Sequence, residues 1–459
     1  MKHKLLLLLA LAGLVTACSP DKPREEDPYD IGLHSYAGGK NGTTLYVGSQ
    51  AYGQAIGGLT DEEARLFDHG DKIFEQTFVP EGPVFYGLGP LYNNTSCSAC
   101  HPREGRAKFP ANLNDISGFF LRTSIGNDPV TGPIATPQFS GQLQQNAVRG
   151  HQKEVQFAVR YEEQKEVFPD GTVVVLHKPI YSVYDTYLPF PSNAMTSPRL
   201  GMPVYGLGLL ECIPDEQILA YADPYDRDGD KISGRPNYSI EQKTGKRLLG
   251  RFGWKANTAT LLDQCADAFT NDMGITHYIH PVDLSYGQPN GEKDNTKPVE
   301  LSDYDLDAVV FYARTLAVPA PRGLERKEVK EGARHFIDLG CSKCHVPSMK
   351  TGENKYCKAL SNQTIYAYTD MLIHDMGEGL ADDRPDFLAN GNEWKTRPLW
   401  GIGLTETVNG YFNFLHDGRA KSYEEAILWH GGEAETVKEK YKALPKAERD
   451  KVIAFLKAL

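Results

Sequence analysis

The chain has 459 residues, of which 40% are hydrophobic and 24% are charged, a composition typical of a globular protein. It contains 49 Lys and Arg against 60 Asp and Glu, which gives a formal net charge of −11. An acidic chain without a basic run is a poor ligand for phosphate backbones, so we expect no nucleic-acid partner.

The N-terminus has the pattern of an export signal. Lys2 and Lys4 precede an apolar run over residues 5–15, which is too short to span a bilayer. The small residues Thr16 and Ala17 then precede Cys18, and this segment resembles a bacterial lipobox. The resemblance implies that residues 1–17 are removed as a lipoprotein signal peptide and that Cys18 is acylated. An uncleaved N-terminal anchor is the alternative.

These features predict the location of the mature protein. Acyl chains on one residue give a stable membrane anchor, so we expect the protein in the cell envelope. Ser19 after the cysteine favours the outer membrane, with the protein facing the periplasm or the cell surface. Residues 18–50 show little apolar periodicity and predict a tether.

A helix and a cysteine motif follow. Thr60 and Glu63 have the spacing of a capping box, and apolar residues recur at helical spacing up to Phe74. Gly70 and Phe74 form a Gly-x-x-x-Phe pattern before Cys-Ser-Ala-Cys-His over residues 97–101. The same two patterns recur at Gly332 to Phe336 and at Cys-Ser-Lys-Cys-His over residues 341–345.

Cys-x-x-Cys-His is the motif that attaches haem c covalently. Its two thiols bond to the two vinyl groups, and the adjacent histidine supplies the proximal nitrogen to the iron. The chain therefore predicts two covalent haem c groups, the first on Cys97, Cys100 and His101 and the second on Cys341, Cys344 and His345. A zinc site with four cysteines is the structural alternative.

The segment between the first motif and the later helices predicts an insertion over about residues 108–250. Residues 156–161 and 173–184 alternate in polarity or carry β-branched side chains, with Pro-Asp-Gly at 169–171 between them, so we expect a β-hairpin. Carboxylates at alternate positions in a glycine-containing loop predict a calcium site; a solvated acidic turn is the alternative. The expected calcium ligands are Asp226, Asp228, Asp230 and the backbone carbonyl of Ile232.

Two further helices are predicted over residues 301–316 and 444–459. The Gly-x-x-x-Phe pattern resembles the N-terminal helix of class I cytochromes c, where a small residue permits close crossing with the C-terminal helix. The predicted fold is therefore mainly α, with two cytochrome c-like haem domains. They cover residues 51–320, including the loop-rich insertion with its hairpin, and residues 321–459.

An internal repeat supports a duplication. Pro-Val-Tyr-Gly-Leu-Gly-Leu-Leu-Glu at 203–211 matches Pro-Leu-Trp-Gly-Ile-Gly-Leu-Thr-Glu at 398–406. Each copy precedes a basic residue followed by alanine and then a predicted helix. We expect each copy to occupy the same place in its own half of the chain.

Several segments resemble the bacterial di-haem oxidoreductase family, whose peroxidase-like members are sometimes called thiol oxidoreductases. More distantly, the pattern is similar to di-haem cytochrome c peroxidases, in which one haem receives electrons and the other meets peroxide. The segments that carry the resemblance are residues 87–97, 206–211, 250–255, 271–276, 374–382 and 426–434.

The distant relatives imply distal ligands. Their second domain has a His-Asp-Gly turn, here at 416–418, and then a helix that ends in the distal ligand, here His430. The resemblance thus implies His345 and His430 as the ligands of haem 2, with Met376 as the rival to His430. In the first half the repeat aligns His430 with Ala266, where Cys265 is the one neighbour able to bind iron.

The relatives also imply residues near the peroxide site. They have a tryptophan, a glutamine and an acidic residue, which correspond here to Trp254, Gln264 and Asp272, with Asp in place of Glu and a shorter spacing. Trp254 would lie on the electron path or else serve as a core residue. Gln264 would orient the oxidant, and Asp272 would relay protons.

The resulting expectation is an exported di-haem oxidoreductase, in which electrons pass from haem 2 to haem 1 to reduce a small oxidant such as peroxide. Its partners would be an electron-donor protein or a small redox carrier. The alternative is a non-enzymatic electron carrier that serves a surface redox or metal-uptake partner. The spin state of haem 1 distinguishes the two.

Overall fold

The structure is a computed structural model, and it describes residues 29–459. Short 3-10 turns connect many of the longer elements. The helices are α1 Gly39–Gly42, α2 Asp61–Glu75, α3 Cys97–Cys100, α4 Leu207–Glu211, α5 Asp215–Leu219, α6 Leu261–Met273, α7 Asp303–Thr315, α8 Lys327–Leu339, α9 Thr405–Asn409, α10 Tyr423–Leu428, α11 Glu435–Ala443 and α12 Lys446–Ala458.

The strands of the described residues form eight separate two-stranded sheets. All pairs are antiparallel except β1 with β12. The strands are β1 Thr43–Thr44, β2 Leu91–Tyr92, β3 Phe119–Ser124, β4 Gly126–Asp128, β5 Gly132–Ile134, β6 Asn146–Ala147, β7 Gln156–Val167, β8 Val173–Tyr184, β9 Met195–Leu200, β10 Tyr238–Ile240, β11 Arg247–Leu249, β12 Val318–Pro319, β13 Met349–Lys350, β14 Thr364–Ile365, β15 Ile373–Asp375 and β16 Glu393–Lys395.

The prediction of a mainly α fold is wrong. Helices account for 30% of the structure and strands for 18%, distributed over many small sheets. The helices with clear apolar periodicity could be found from the sequence, but most of the strands are two or three residues long. Such strands are too short to show a period-two pattern.

The two Cys-x-x-Cys-His motifs each follow a helix that crosses another helix at a glycine. A Cβ placed on Gly70 of α2 would lie 2.2 Å from the carbonyl oxygen of Ala308 in α7. A Cβ on Gly332 of α8 would lie 1.9 Å from the carbonyl oxygen of Lys451 in α12. The predicted close crossings are therefore present in both halves, and at both of them only glycine fits without movement of the backbone.

Helix α2 begins as its sequence predicts. The Thr60 hydroxyl accepts a hydrogen bond from the Glu63 backbone N–H, and the Glu63 carboxylate accepts one from the Thr60 N–H at 2.8 Å. The predicted capping box is thus confirmed. It fixes the start of the helix whose last turn places Phe74 beside His101, with ring centroids 6.3 Å apart.

The two copies of the internal repeat contact each other. The Tyr205 hydroxyl of the first copy donates to the backbone carbonyl of Trp400 in the second copy, at 3.0 Å. Tyr205 also stacks on Tyr52 at a centroid distance of 4.1 Å. The repeat therefore lies at the junction between the two halves of the chain.

The insertion contains the predicted hairpin. Strands β7 and β8 pair from Gln156 with Tyr184 to Val167 with Val173, and the tight turn closes through a bond from the Phe168 N–H to the Thr172 carbonyl. The base of the hairpin packs with β3 and β9 around a separate apolar cluster that includes Phe119 and Phe157. The insertion thus has a small core of its own.

Part of the predicted tether is folded. Ile31 and His34 are buried, and β1 pairs with β12 at the junction of the two halves. The boundary of the tether at residue 50 is therefore misplaced, because the segment over residues 31–44 packs on the body of the protein. The predicted signal peptide and Cys18 lie outside the described residues. Within residues 29–459, no helix has the length and apolar character needed to cross a bilayer.

Candidate haem sites

The first motif forms one turn of helix that presents its histidine to the interior. The Ser96 hydroxyl caps α3 by accepting from the Ala99 N–H at 3.1 Å, and the His101 N–H donates to the Cys97 carbonyl at 2.8 Å. Cys97 and Cys100 are both free thiols. The arrangement leaves two thiols and one imidazole on a single turn, as attachment of haem c requires.

Both motif histidines are held in the tautomer that binds iron. His101 Nδ1 donates to the Met202 carbonyl at 2.6 Å, and His345 Nδ1 donates to the Tyr368 carbonyl at 3.0 Å. Burial lowers the pKa of each imidazole to about 4, so both rings are neutral at pH 7. Each Nε2 then carries a free lone pair, which is the state of a proximal ligand.

A large cavity with mainly apolar walls adjoins the second motif. Cys341, Cys344 and His345 line it, together with His430 and Met376. His430 Nδ1 donates to the Ala426 carbonyl at 2.7 Å, which leaves its Nε2 free. His345 and His430 line the same cavity, and the pKa of His345 is lowered first by burial and next by the charge of His430.

Met376 borders the same cavity, so the structure places both candidate distal ligands beside the second motif. His430 ends a helical turn that follows α10, as its sequence context predicts. The assignment of His430 as the distal ligand stays a prediction, with Met376 as its rival.

Three cationic side chains line the cavity without a carboxylate ion pair among the described residues: Arg106, Lys395 and Arg397. Arg106 donates to the Leu415 carbonyl and Lys395 to the Arg251 carbonyl. Burial lowers the pKa of Arg397 to about 9. Cations in an apolar space are costly unless an anion joins them, so the cavity suits an apolar ring with acidic substituents. The thiols, the imidazoles and these cations together fit a haem with its two propionates.

Trp254 lies between the two motifs. It lines the second cavity, and its indole N–H donates to the Leu200 carbonyl at 3.1 Å. The next residue, Gly201, touches the first motif, because a Cβ there would lie 2.7 Å from the Cys100 carbonyl oxygen and 3.4 Å from His101 Cε1. A short path of backbone atoms therefore joins the indole to the first motif.

Asp272 is beside the first motif. Burial is the main cause that raises the pKa of the Cys100 thiol, and the Asp272 carboxyl is the next cause. The same carboxyl also helps to raise the pKa of the Cys97 thiol. Burial raises the pKa of Asp272 itself to about 6, and a hydrogen bond from Gln142 opposes that rise. This residue can therefore hold or release a proton near neutral pH.

Helix α6 carries the other predicted residues of the first site. Gln264 has a buried amide oxygen without a hydrogen-bond partner in the described part of the chain. Cys265 lies near Cys97, since it contributes to raising the pKa of that thiol, and Ala266 is fully buried. The position aligned with His430 thus has no histidine. Two residues predicted at the same peroxide site are separated, because Trp254 lines the second cavity and Asp272 lies at the first motif.

The family model for "Di-haem oxidoreductase, putative peroxidase" matches residues 33–459. The chain belongs to the di-haem oxidoreductase family. The two haems of the family name correspond in number to the two motifs. A solved structure of Kuenenia stuttgartiensis hydrazine synthase pressurised with 20 bar xenon shares 12% identity and a TM-score of 0.35, over 99% of this chain and 100% of that one. No curated protein matches the chain.

A group of buried amides in this di-haem oxidoreductase has no recognisable signature in the sequence. Gln142 and Gln144 of the insertion are fully buried and bond to the end of α6, at Asn271 and Asp272. Asn93, four residues before the first motif, also bonds to Gln142. The run of amides at residues 142–146 is visible in the sequence, but its contact with α6 joins positions about 130 residues apart.

His374 is a second residue whose role the sequence did not show. Its ring lies 2.7 Å from both Asp370 and Glu433, and 3.6 Å from the Cys344 sulfur. Burial alone would lower the pKa of His374, but Asp370 and its other acidic neighbours raise it well above the usual value. His374 is therefore a buried cation held by carboxylates, and its nitrogens are engaged.

The predicted calcium loop brings its carboxylates together. Ligand atoms of Asp226, Asp228 and Asp230 lie within 4.8 Å of one another. Asp230 also forms an ion pair at 2.7 Å with Lys343 of the second motif, and it accepts from the Ile232 N–H. The ammonium group of Lys343 competes with a cation for that carboxylate, and calcium binding stays a prediction.

Proposed function

We propose that this di-haem oxidoreductase is an exported c-type protein that passes electrons from haem 2 to haem 1 and reduces a small oxidant such as peroxide. The observation that carries the proposal is the difference between the two sites. His345 and His430 both line the cavity at the second motif, whereas Asp272 lies beside the first motif and the position aligned with His430, Ala266, offers no ligand. The bound haems would supply the electron transfer and the reduction.

The proposed attachment is covalent at both motifs. Cys97, Cys100 and His101 would hold haem 1, and Cys341, Cys344 and His345 would hold haem 2. Arg106 and Arg397 would bind the propionates of haem 2, because the structure gives them no carboxylate ion-pair partner within residues 29–459.

The position of Trp254 supports a path for electrons between the two proposed haem sites. Its indole borders the second cavity, and its hydrogen bond to Leu200 leads to the backbone that contacts the first motif. The guanidinium carbons of Arg106 and Arg397 each lie 5.4 Å from the indole centroid. These contacts hold the ring in one orientation between the two haem positions.

Asp272 would move the proton of the reaction. Reduction of hydrogen peroxide to two waters consumes two electrons and two protons, and a carboxylate can take the first proton from peroxide and return it to the leaving oxygen. Because the pKa of Asp272 is raised to about 6, the carboxylate form dominates above that pH. The rate should therefore fall as the pH drops below about 6.

Asp272→Asn tests the proposal. The variant should retain both haem spectra but react with peroxide at least about 100-fold more slowly, the size usual for loss of general acid–base catalysis. The acid limb of the pH profile should also disappear. Stopped-flow absorbance of the purified protein measures both. A wild-type protein with two six-coordinate haems and no response to peroxide would favour the electron carrier instead.

We also propose that Cys18 anchors the protein to the cell envelope, where an electron-donor protein or a small redox carrier reaches it. This part rests on the sequence of residues 1–18 alone. Cys18→Ala should release the protein from the membrane fraction, with Ser19→Ala as the matched control. Recovery of wild-type protein with Met1 intact would contradict the anchor.

A further inference from the structure

Gln142 is the point at which three distant segments meet beside the first motif. Its Nε2 lies 2.6 Å from Asn93 Oδ1, 2.5 Å from Asp272 Oδ1 and 3.2 Å from the Asn271 carbonyl oxygen. The side chain is fully buried. One amide nitrogen has two hydrogens, so the two shortest contacts use both of them.

The contact fixes one oxygen of the Asp272 carboxyl and leaves the other free. Oδ1 accepts from Gln142, whereas no described residue donates to Oδ2. Asp272 is half-buried, so Oδ2 is left for a partner other than the described residues. The Asp272 backbone carbonyl accepts from the N–H groups of Asn93 and Asn94, just before the first motif, and its carboxyl acts electrostatically on Cys97 and Cys100.

Gln142 is itself held by its surroundings. Asn93 Nδ2 donates to the Leu143 carbonyl at 2.8 Å, and Gln144 Nε2 donates to the Gln142 carbonyl at 2.9 Å. The Gln144 N–H in turn donates to the buried Glu154 carboxyl at 2.7 Å. The side-chain amide of Gln142 is thus oriented by its own two donors, to Asn93 and Asp272, while its buried oxygen has no partner among the described residues.

We propose that Gln142 is a positioning residue for Asp272: it holds Oδ1 through its amide N–H so that Oδ2 faces the haem 1 space. The catalytic importance of this position rests on the proposed function of Asp272. The insertion thereby contributes to the chemistry of the first site, although it lies outside the helices that carry the motif.

The hydrogen bond also sets the affinity of Asp272 for its proton. A donor to a carboxylate stabilises the charged form, so loss of Gln142 must raise the pKa of Asp272. The other groups that face this carboxyl are Arg122 on β3, Asp267 on α6 and the motif thiols. Thioether bonds to haem remove the thiols from titration, and Arg122 and Asp267 are unchanged in a Gln142 variant.

The test compares two buried glutamines of the same loop in the haem-loaded protein. Gln142→Met keeps the length of the side chain but removes its donor to Asp272. Gln144→Met is the matched control, because the side-chain amide of Gln144 donates to the carbonyls of Gln142 and Asn271 and not to Asp272. Infrared titration follows the carboxyl band of Asp272, identified by its loss in Asp272→Asn.

The expected result is an upward shift of the Asp272 titration by about one pH unit or more in Gln142→Met, with a much smaller shift in Gln144→Met. Gln142→Leu, which also removes the donor without adding charge, should shift the Asp272 titration upward as well, and serves if Gln142→Met does not fold. The acid limb of the peroxide reaction should move with the infrared titration.

Equal titrations in wild type and Gln142→Met, or equal shifts in the two methionine variants, would overturn the inference. The proposed function fails in a different way. If the carboxyl band shifts as expected but peroxide does not react with haem 1, the positioning of Asp272 stands and the peroxidase-like reaction is refuted.

Discussion

At the scale of single residues, the role of each histidine follows from what its second nitrogen contacts. His101 and His345 donate to backbone carbonyls, so each presents an unprotonated nitrogen. His374 lies between two carboxylates and is held as a cation. The sequence identifies the first two through their motif, but it does not identify the third, because Glu433, one of its two carboxylate partners, comes from a distant segment.

His430→Ala tests the assignment of the distal ligand. Removal of the imidazole should convert haem 2 from low-spin to high-spin and leave the spectrum of haem 1 unchanged, and added imidazole should restore the low-spin state. Electronic absorption and EPR spectra measure these changes. Met376→Leu is the control, since Met376 borders the same cavity. If Met376→Leu converts haem 2 to the high-spin state and His430→Ala does not, the assignment of His430 is wrong.

At the scale of elements, the helices and the long hairpin could be predicted because each has a local signature. The capping box at Thr60, the apolar spacing of α2 and the Pro-Asp-Gly turn of the hairpin all depend on neighbouring residues. Most of the strands are instead too short to show a periodic pattern, and the amides of the insertion depend on contacts with α6 about 130 residues away. Sequence patterns therefore found the haem motifs but missed Gln142.

Gly332→Ala tests the helix crossing beside the second motif. Alanine stabilises a helix by about 1 kcal/mol relative to glycine, so the substitution would stabilise the protein at a position with room for the Cβ. Here the new Cβ would meet the Lys451 carbonyl oxygen, and overpacking should instead cost about 1–3 kcal/mol. Thermal unfolding of the haem-loaded protein measures the difference.

Gly57→Ala is the matched control for that substitution. Gly57 is exposed, and a Cβ there would lie 3.6 Å from its nearest neighbour, an ordinary contact. Its variant should unfold within a few degrees of the wild type. A Gly332→Ala protein as stable as wild type would show that the two helices are not closely packed at this point.

At the scale of the whole molecule, duplicated parts serve two different sites. Gly70 and Gly332 have equivalent contacts in the two halves, and both motif histidines donate to carbonyls. The repeats meet at the junction through Tyr205 and Trp400. The halves differ where the distal ligand would be, because Ala266 stands at the position aligned with His430. In the first half, the insertion also adds amides at the end of α6.

The covalent attachment of both haems is testable by mass. The denatured wild-type chain should carry the mass of two haem groups and stain for haem on a gel. Cys97→Ala combined with Cys100→Ala should remove one haem, and Cys341→Ala combined with Cys344→Ala should remove the other. Retention of two covalent haems in either double variant would contradict the motif assignment.

The EPR spectrum of the oxidised wild-type protein is the most direct test of the proposed asymmetry. We expect one low-spin haem with two imidazole ligands and one high-spin haem, and we expect peroxide to alter the high-spin signal first. Two low-spin signals that peroxide leaves unchanged would contradict it, because both irons would then be closed to a small oxidant.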